Sequence, residues 1–99
     1  MRFHIYYVYI LKCSDGSFYT GITNNIHRRL QEHQEGISKS AYTFSRRPVE
    51  LVFLTEFSNV EVAIETEKQI KKWSRRKKQA LIDENYDTLI QLSKKRFRV

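Results

Sequence analysis

Glu67 sits where a carboxylate is costly. Placed at 100° per residue, the segment 59–73 gathers Val60, Ala63, Ile64 and Ile70 on one stripe, and Glu67 falls in its middle. An ionised side chain among apolar neighbours loses several kcal/mol of hydration unless a cation meets it. Two readings stay open: a buried ion pair with an arginine, or an oxygen ligand for a hard divalent cation such as magnesium. Arg29 and His33, four residues apart, share a helical face with Ile26, while Arg28 points elsewhere. A guanidinium near a helix start can clamp a phosphate with its planar fork. Alternatively Arg29 neutralises Glu67 or Glu32, and His33 is a hydrogen-bonded structural histidine. Tyr6, Tyr7, Tyr9 and Tyr19 lie in strand-like segments, where tyrosine packs well. Packing alone does not account for two phenols on one sheet face, an arginine on the next helix and a carboxylate in a later apolar stripe. Together they offer a general base, a phosphate clamp and a metal ligand, the ingredients of metal-assisted phosphodiester hydrolysis.

Those residues must be positioned by short elements. Residues 5–12 and Phe18–Thr23 are rich in β-branched and aromatic side chains and flank a Ser14-Asp15-Gly16 break, which predicts a β-hairpin. A two-residue Asp15-Gly16 turn would put Tyr9 and Tyr19 on opposite faces. The three-residue Ser14-Asp15-Gly16 loop pairs Leu11 with Tyr19 and makes Tyr9 and Tyr19 diagonal neighbours about 7 Å apart, with Gly16 in the left-handed region. Asn24 or Asn25 can cap a helix over Ile26–Glu35, with Gly36 at its exit. Residues 38–47 have no steady period and read as a loop ending at Pro48. Leu51–Phe57 resembles a third strand, and Ser58 with Glu61 matches a capping box opening a helix over 59–73. Ser74 can open a further helix, interrupted near Asn85. The order β-β-α-β-α-α predicts a small α+β sandwich of the broad α/β class, a three-stranded antiparallel sheet flanked by helices.

The 99 residues are expected to form one domain over 1–99, and 40% hydrophobic with 13% aromatic residues excludes a disordered chain. Cys13, the one cysteine, excludes an intramolecular disulfide and a Cys-rich zinc site and reads as a buried or idle thiol. No apolar run approaches the ~20 residues of a membrane span, so a cytoplasmic location is the default expectation. Lys plus Arg outnumber Asp plus Glu 18 to 11, giving +7, and eleven of the eighteen cations fall in the last third of the chain. Residues 68–78 hold Lys68, Lys71, Lys72, Arg75, Arg76, Lys77 and Lys78 with no acid, and the tail adds Lys94, Lys95, Arg96 and Arg98. Such a run favours a polyanionic partner; the other reading is a solvated helix face. Trp73 and Phe97 are candidates for stacking on bases, with core packing the plainer role for Trp73.

Tyr7-Val8-Tyr9, ten residues before Tyr19-Thr20-Gly21 and followed by Asn24 through His33, resembles the GIY-YIG nuclease domain. Tyr7 and Val8 stand where the motif has Gly and Ile, and Thr20 stands for its second Ile, but both tyrosines and the final glycine are present. Arg29, eight residues past Gly21, matches the family's arginine, His33 a histidine of several members, and Glu67 the metal-binding glutamate. The resemblance runs over about residues 5–80, leaving a basic helical part at 74–99, and is greatest to the small stand-alone bacterial branch. It implies a divalent-metal endonuclease acting on DNA, with branched or damaged DNA and DNA repair among the expectations. Carried over residue by residue, Tyr9 would be general base, Tyr19 would orient the phosphate, Arg29 would hold it, His33 would assist and Glu67 would anchor one Mg2+ or Mn2+ ion. Lys71, Lys72, Arg75, Arg76, Lys77 and Lys78 would follow the phosphate backbone. The family's later site asparagine has only Gln79 or Asn85 as counterparts, and the targeting domains of larger relatives have none. Target choice would then come from the basic surface, a protein partner or substrate shape. The alternatives are a nucleic-acid-binding module that keeps the fold without turnover, and a structural or protein-interaction role.

Overall fold

The computed structural model describes residues 4–96, with side chains described to residue 92; Phe97, Arg98 and the side chains of Lys94, Lys95 and Arg96 lie outside this description. Strands β1 (Tyr6–Lys12) and β2 (Phe18–Thr23) form the expected hairpin. Leu11 faces Tyr19 and Tyr9 faces Gly21, and the Gly16 N–H donates to the Cys13 carbonyl with Gly16 at φ 83°, so the three-residue loop forms around a left-handed glycine. Helix α1 spans Ile26–Glu35; Asn25 accepts from the Arg28 N–H at its start and the left-handed Gly36 closes its end. A single 3₁₀ turn at Phe44–Arg46 interrupts the following loop, and β3 (Glu50–Phe57) completes an antiparallel sheet of order β2-β1-β3.

Helix α2 runs over Val60–Lys71, shorter than 59–73, and its cap is Asn59 rather than Ser58. The Asn59 side chain accepts from the N–H groups of Glu61 and Val62 at 2.9 and 3.2 Å, which leaves Glu61 one position too early to reach back as a capping box requires. Ser74 caps α3 (Arg75–Ile82), and the break near Asn85 ends that helix outright: Glu84 takes φ 56° and α4 (Tyr86–Arg96) follows. The described chain thus has four helices, one more than the sequence order predicts.

Strand alternation divides the core in two. Tyr9, Leu11, Cys13, Ile26 and Val49 are buried on the α1 face, with Tyr19, Leu30 and Leu51 beside them. Val8, Ile10, Ala63 and Ile70 are buried on the other face, with Trp73 and Leu81 against them. Cys13 is a free, buried thiol whose pKa burial pushes up, so it is the inert cysteine expected. No helix among the described residues is long and apolar enough to cross a membrane.

Candidate active site

The hairpin and α1 bring four of the singled-out residues together on one face. Tyr9 is fully buried, and its ring lies 6.3 Å from that of Tyr19, centre to centre. What admits the Tyr9 ring is Gly21, its cross-strand partner: a Cβ there would overlap the Tyr9 hydroxyl and Cζ. The ring is packed in the α1-face core and its hydroxyl is bonded to His33, so moving it aside disturbs both. Gly21→Ala is therefore expected to destabilise the fold by about 1–3 kcal/mol, the usual cost of overpacking a core, seen as a lower denaturant midpoint without change in m-value; an unchanged midpoint would show that the ring yields.

Tyr9 Oη and His33 Nε2 are hydrogen-bonded at 3.0 Å, and His33 Nδ1 lies 2.8 Å from Thr43 Oγ1. The His33 ring also meets Tyr19 edge-on at 5.1 Å. Desolvation holds the Tyr9 hydroxyl well above the ordinary phenol range; Tyr19 adds to this and Arg29 opposes it, with Glu67 a smaller raising influence. Burial, with Arg29 beside it, pushes the His33 pKa down, against an opposing pull from Glu32. Near neutral pH the pair is accordingly a protonated phenol against a neutral imidazole.

Arg29 donates from Nε to Glu32 Oε1 at 3.1 Å. With Tyr19, Glu32, His33, Ile37 and Thr43 it lines a cleft of about 280 Å³. Tyr9 lies beneath this cleft rather than on its wall. Glu67 comes from α2, on the opposite face of the sheet, and is not among the cleft's lining residues. Its charge raises the Tyr9 pKa, the smallest of the influences on that hydroxyl, while Arg29 lowers it.

Glu67 is buried as the helical wheel predicts, in line with Ala63 and Ile70, but Val60 and Ile64 are 38% and 37% exposed. The stripe that meets the sheet is narrower than the apolar sequence pattern. The cation that meets Glu67 is not an arginine: Lys71 Nζ lies 3.0 Å from Oε1, one helical turn on. Of the two stand-ins for the family's asparagine, Gln79 donates to Asp83 and Asn85 caps α4.

The basic run divides. Lys72 and Arg76 are exposed. Arg75 is also exposed but donates to the Gly16 carbonyl and lies over the Phe18 ring. Lys78 is half-buried, its pKa lowered by burial and then by neighbouring Lys71. Lys77 corrects the expectation: it is 6% exposed, with Nζ 4.3 Å above the Trp73 ring, so it covers the core instead of facing a phosphate backbone. Trp73 packs against the same core.

Two residues of the 38–47 segment went unread because that segment has no periodicity. Tyr42 stacks on Tyr19 at 6.1 Å, and Arg46 caps Tyr42 from 3.8 Å while its Nε donates to Asp15. Thr43 is 1% exposed behind His33. The Arg-Arg-Pro boundary marked the segment's end but not its contacts.

A hairpin glycine that seats one tyrosine over its partner strand, a second tyrosine beside it and an arginine on the next helix define the class, and residues 5–80 match the family model described as the GIY-YIG catalytic domain. The chain belongs to this family, a nuclease superfamily. More narrowly, it is similar to UPF0213 proteins. One from Syntrophus aciditrophicus is 52% identical over 80% of this chain and 91% of that one. The solution NMR structure of the UPF0213 protein of Bacillus halodurans is 43% identical, covers 80% of this chain and 83% of that one, and has a TM-score of 0.54. A solution NMR structure of an E. faecalis protein, 34% identical over 87% and 88% of the two chains, gives 0.58. Proteins of the UPF0213 name occur in archaea as well as bacteria, wider than the bacterial branch expected.

Proposed function

We propose that the chain is a divalent-metal-dependent endonuclease that hydrolyses phosphodiester bonds in DNA, with branched or damaged DNA as preferred substrates. The observation that carries this reading is the Tyr9–His33 hydrogen bond beside the cleft that Tyr19 and Arg29 line, together with a buried carboxylate, Glu67, on α2. Tyr9 acts as general base by passing its proton to His33 Nε2 and accepting one from the attacking water. Tyr19 orients the scissile phosphate from the cleft wall. Arg29, already close to the Tyr9 oxygen, neutralises the charge that builds on the phosphate. Because Tyr9 is covered in the free chain, the mechanism requires substrate binding to uncover its oxygen, and catalytic contacts often form only in such a complex.

Among the described residues no group of three or more His, Cys, Asp or Glu side chains could hold a metal. Glu67 thus offers one carboxylate, which suits a magnesium-like ion that keeps several waters and shares substrate phosphate oxygens, and not a closed zinc site. Magnesium or manganese bound there supplies Lewis-acid stabilisation of the phosphate oxygens. Lys71 must release Glu67 for this; it is 52% exposed at its side chain and can turn to the DNA backbone.

Lys71, Lys72, Arg75, Arg76 and Lys78 form the backbone-following surface. Binding to duplex DNA is expected to weaken steeply as salt rises, and Lys72→Ala with Arg76→Ala to flatten the log–log salt slope by roughly 0.9 per lost contact, measured by fluorescence anisotropy. An unchanged slope would move the interface elsewhere.

The sparse donor set and the Lys71 pairing favour a second reading, a nucleic-acid-binding module without turnover. It predicts binding that is indifferent to Glu67→Ala, and no cleavage. Cleavage and binding compared between wild type and Glu67→Ala separate the two.

A further inference from the structure

We propose that Arg46, held in place by Tyr42, is a phosphate contact for the DNA strand that enters the cleft, and that it joins the cleft across the hairpin turn to the cations of α3. The assignment rests on the reading of the chain as a DNA-acting protein and adds a contact outside the catalytic residues.

The placement follows from successive ring contacts. Tyr19 stands on the cleft wall. The Tyr42 ring is stacked on it at 6.1 Å, and the Arg46 guanidinium lies 3.8 Å over the Tyr42 ring. A strand carries one phosphate per ~3.4 Å of helix axis, so a strand whose scissile phosphate meets Tyr19 and Arg29 passes Arg46 within a few nucleotides. At the hairpin turn Arg46 Nε lies 3.1 Å from Asp15 Oδ2, and the carbonyl of the next residue, Gly16, accepts from Arg75 of α3. Arg46 reaches the turn from the sheet face that carries Tyr19, and Arg75 from the face that carries Phe18, over whose ring it lies. The two arginines bracket the turn and carry positive charge from Arg29 at the cleft toward α3.

The contacts of Arg46 fix its plane without using it up. Nε donates to Asp15 and Nη1 donates to the Tyr42 carbonyl at 2.8 Å, and a guanidinium has five N–H donors, so donors remain for a phosphate oxygen. A fork already oriented by a ring and a carbonyl loses little freedom when it takes that oxygen. Arg47, the next residue, shows the contrast. It donates to the Phe44 and Gln34 carbonyls and lies so close to Gly36 that a Cβ there would overlap it, the contacts of an arginine that closes the end of α1. Asp15 is the group that opposes a phosphate at Arg46. The pair is open to water, its side chains 35% and 49% exposed, so it yields at little cost. An Arg46 that only ties the loop to the hairpin predicts the same sign of effect from either end of the ion pair, whereas a phosphate contact predicts opposite signs.

The test is binding of the full chain to a fluorescein-labelled DNA duplex by anisotropy, without metal and across a salt series, for wild type, Arg46→Gln, Arg46→Lys and Asp15→Asn, each checked for folding by circular dichroism. Arg46→Gln is expected to flatten the log–log salt slope by roughly 0.9 and to weaken binding about eightfold near 0.1 M salt. Asp15→Asn, which breaks the same pair but keeps the cation, is expected to tighten binding about 1.5–5-fold, the worth of an exposed ion pair released to the phosphate. Arg46→Lys should keep the wild-type slope. Should Arg46→Gln not fold, the sign of the Asp15→Asn effect and the slope of Arg46→Lys decide. Weaker binding in both Arg46→Gln and Asp15→Asn, or a slope untouched by Arg46→Gln, overturns the proposal and leaves the nuclease reading intact. Opposite signs in a chain that cuts no DNA would overturn the nuclease reading and keep this contact.

Discussion

Tyr9→Phe is expected to lower the single-turnover rate of DNA cleavage by about 10²–10⁴-fold, the range over which a positioned acid or base contributes. The substitution removes one oxygen and keeps the ring. Packing over Gly21 and beside Tyr19 therefore survives, and the structural cost is the lost hydrogen bond to His33, about 1–3 kcal/mol because a buried ring nitrogen is left unmet. The discriminating feature is the pairing of a large rate effect with a modest shift in denaturant midpoint. A rate unchanged in a folded Tyr9→Phe chain would remove Tyr9 from the chemistry and leave its hydroxyl a core contact.

Glu67→Gln is the second large effect. Loss of the carboxylate should reduce metal-dependent cleavage by about 10²-fold or more, since metal stabilisation of phosphate charge is worth several kcal/mol and each 1.36 kcal/mol is tenfold in rate. DNA binding without metal should stay close to wild type. Stability should change little: the ion pair to Lys71 is an i,i+4 pair with a half-exposed lysine, the kind that contributes about 0.3–0.5 kcal/mol, and the amide keeps the shape that fits between Ala63 and Ile70. Rates measured against Mg2+ and Mn2+ concentration check this. Retained activity with the wild-type metal dependence would place the metal elsewhere.

The local chemistry of the fold was readable because turns and caps act over a few residues. Ser14-Asp15-Gly16 set the hairpin register through one left-handed glycine, and Asn25 and Gly36 bounded α1. The burial of Glu67 followed from helical phase alone. Contacts that depend on tertiary placement did not follow. Asn59 is the cap instead of Ser58 because the helix begins at Val60, so it is the Asn59 side chain that meets the Glu61 and Val62 N–H groups. Lys77 looked like any cation in a basic run until α3 laid it over Trp73. Thr43 and Tyr42 were invisible because a loop without period carries no phase from which to infer a facing residue. The sequence placed Tyr9, Tyr19, Arg29 and Glu67 on separate elements; the structure seats Tyr9 against His33 beside the cleft that Tyr19, Arg29 and His33 line, and buries Glu67 on α2.

The most direct measurement incubates the purified chain with end-labelled single-stranded, linear duplex and branched DNA in Mg2+ or Mn2+, with an EDTA control and Glu67→Ala in parallel. A metal-dependent endonuclease predicts internal cuts that EDTA and Glu67→Ala both abolish. Binding to these DNAs without cuts in either ion, and equal binding by Glu67→Ala, would contradict it and leave a binding module on a nuclease fold.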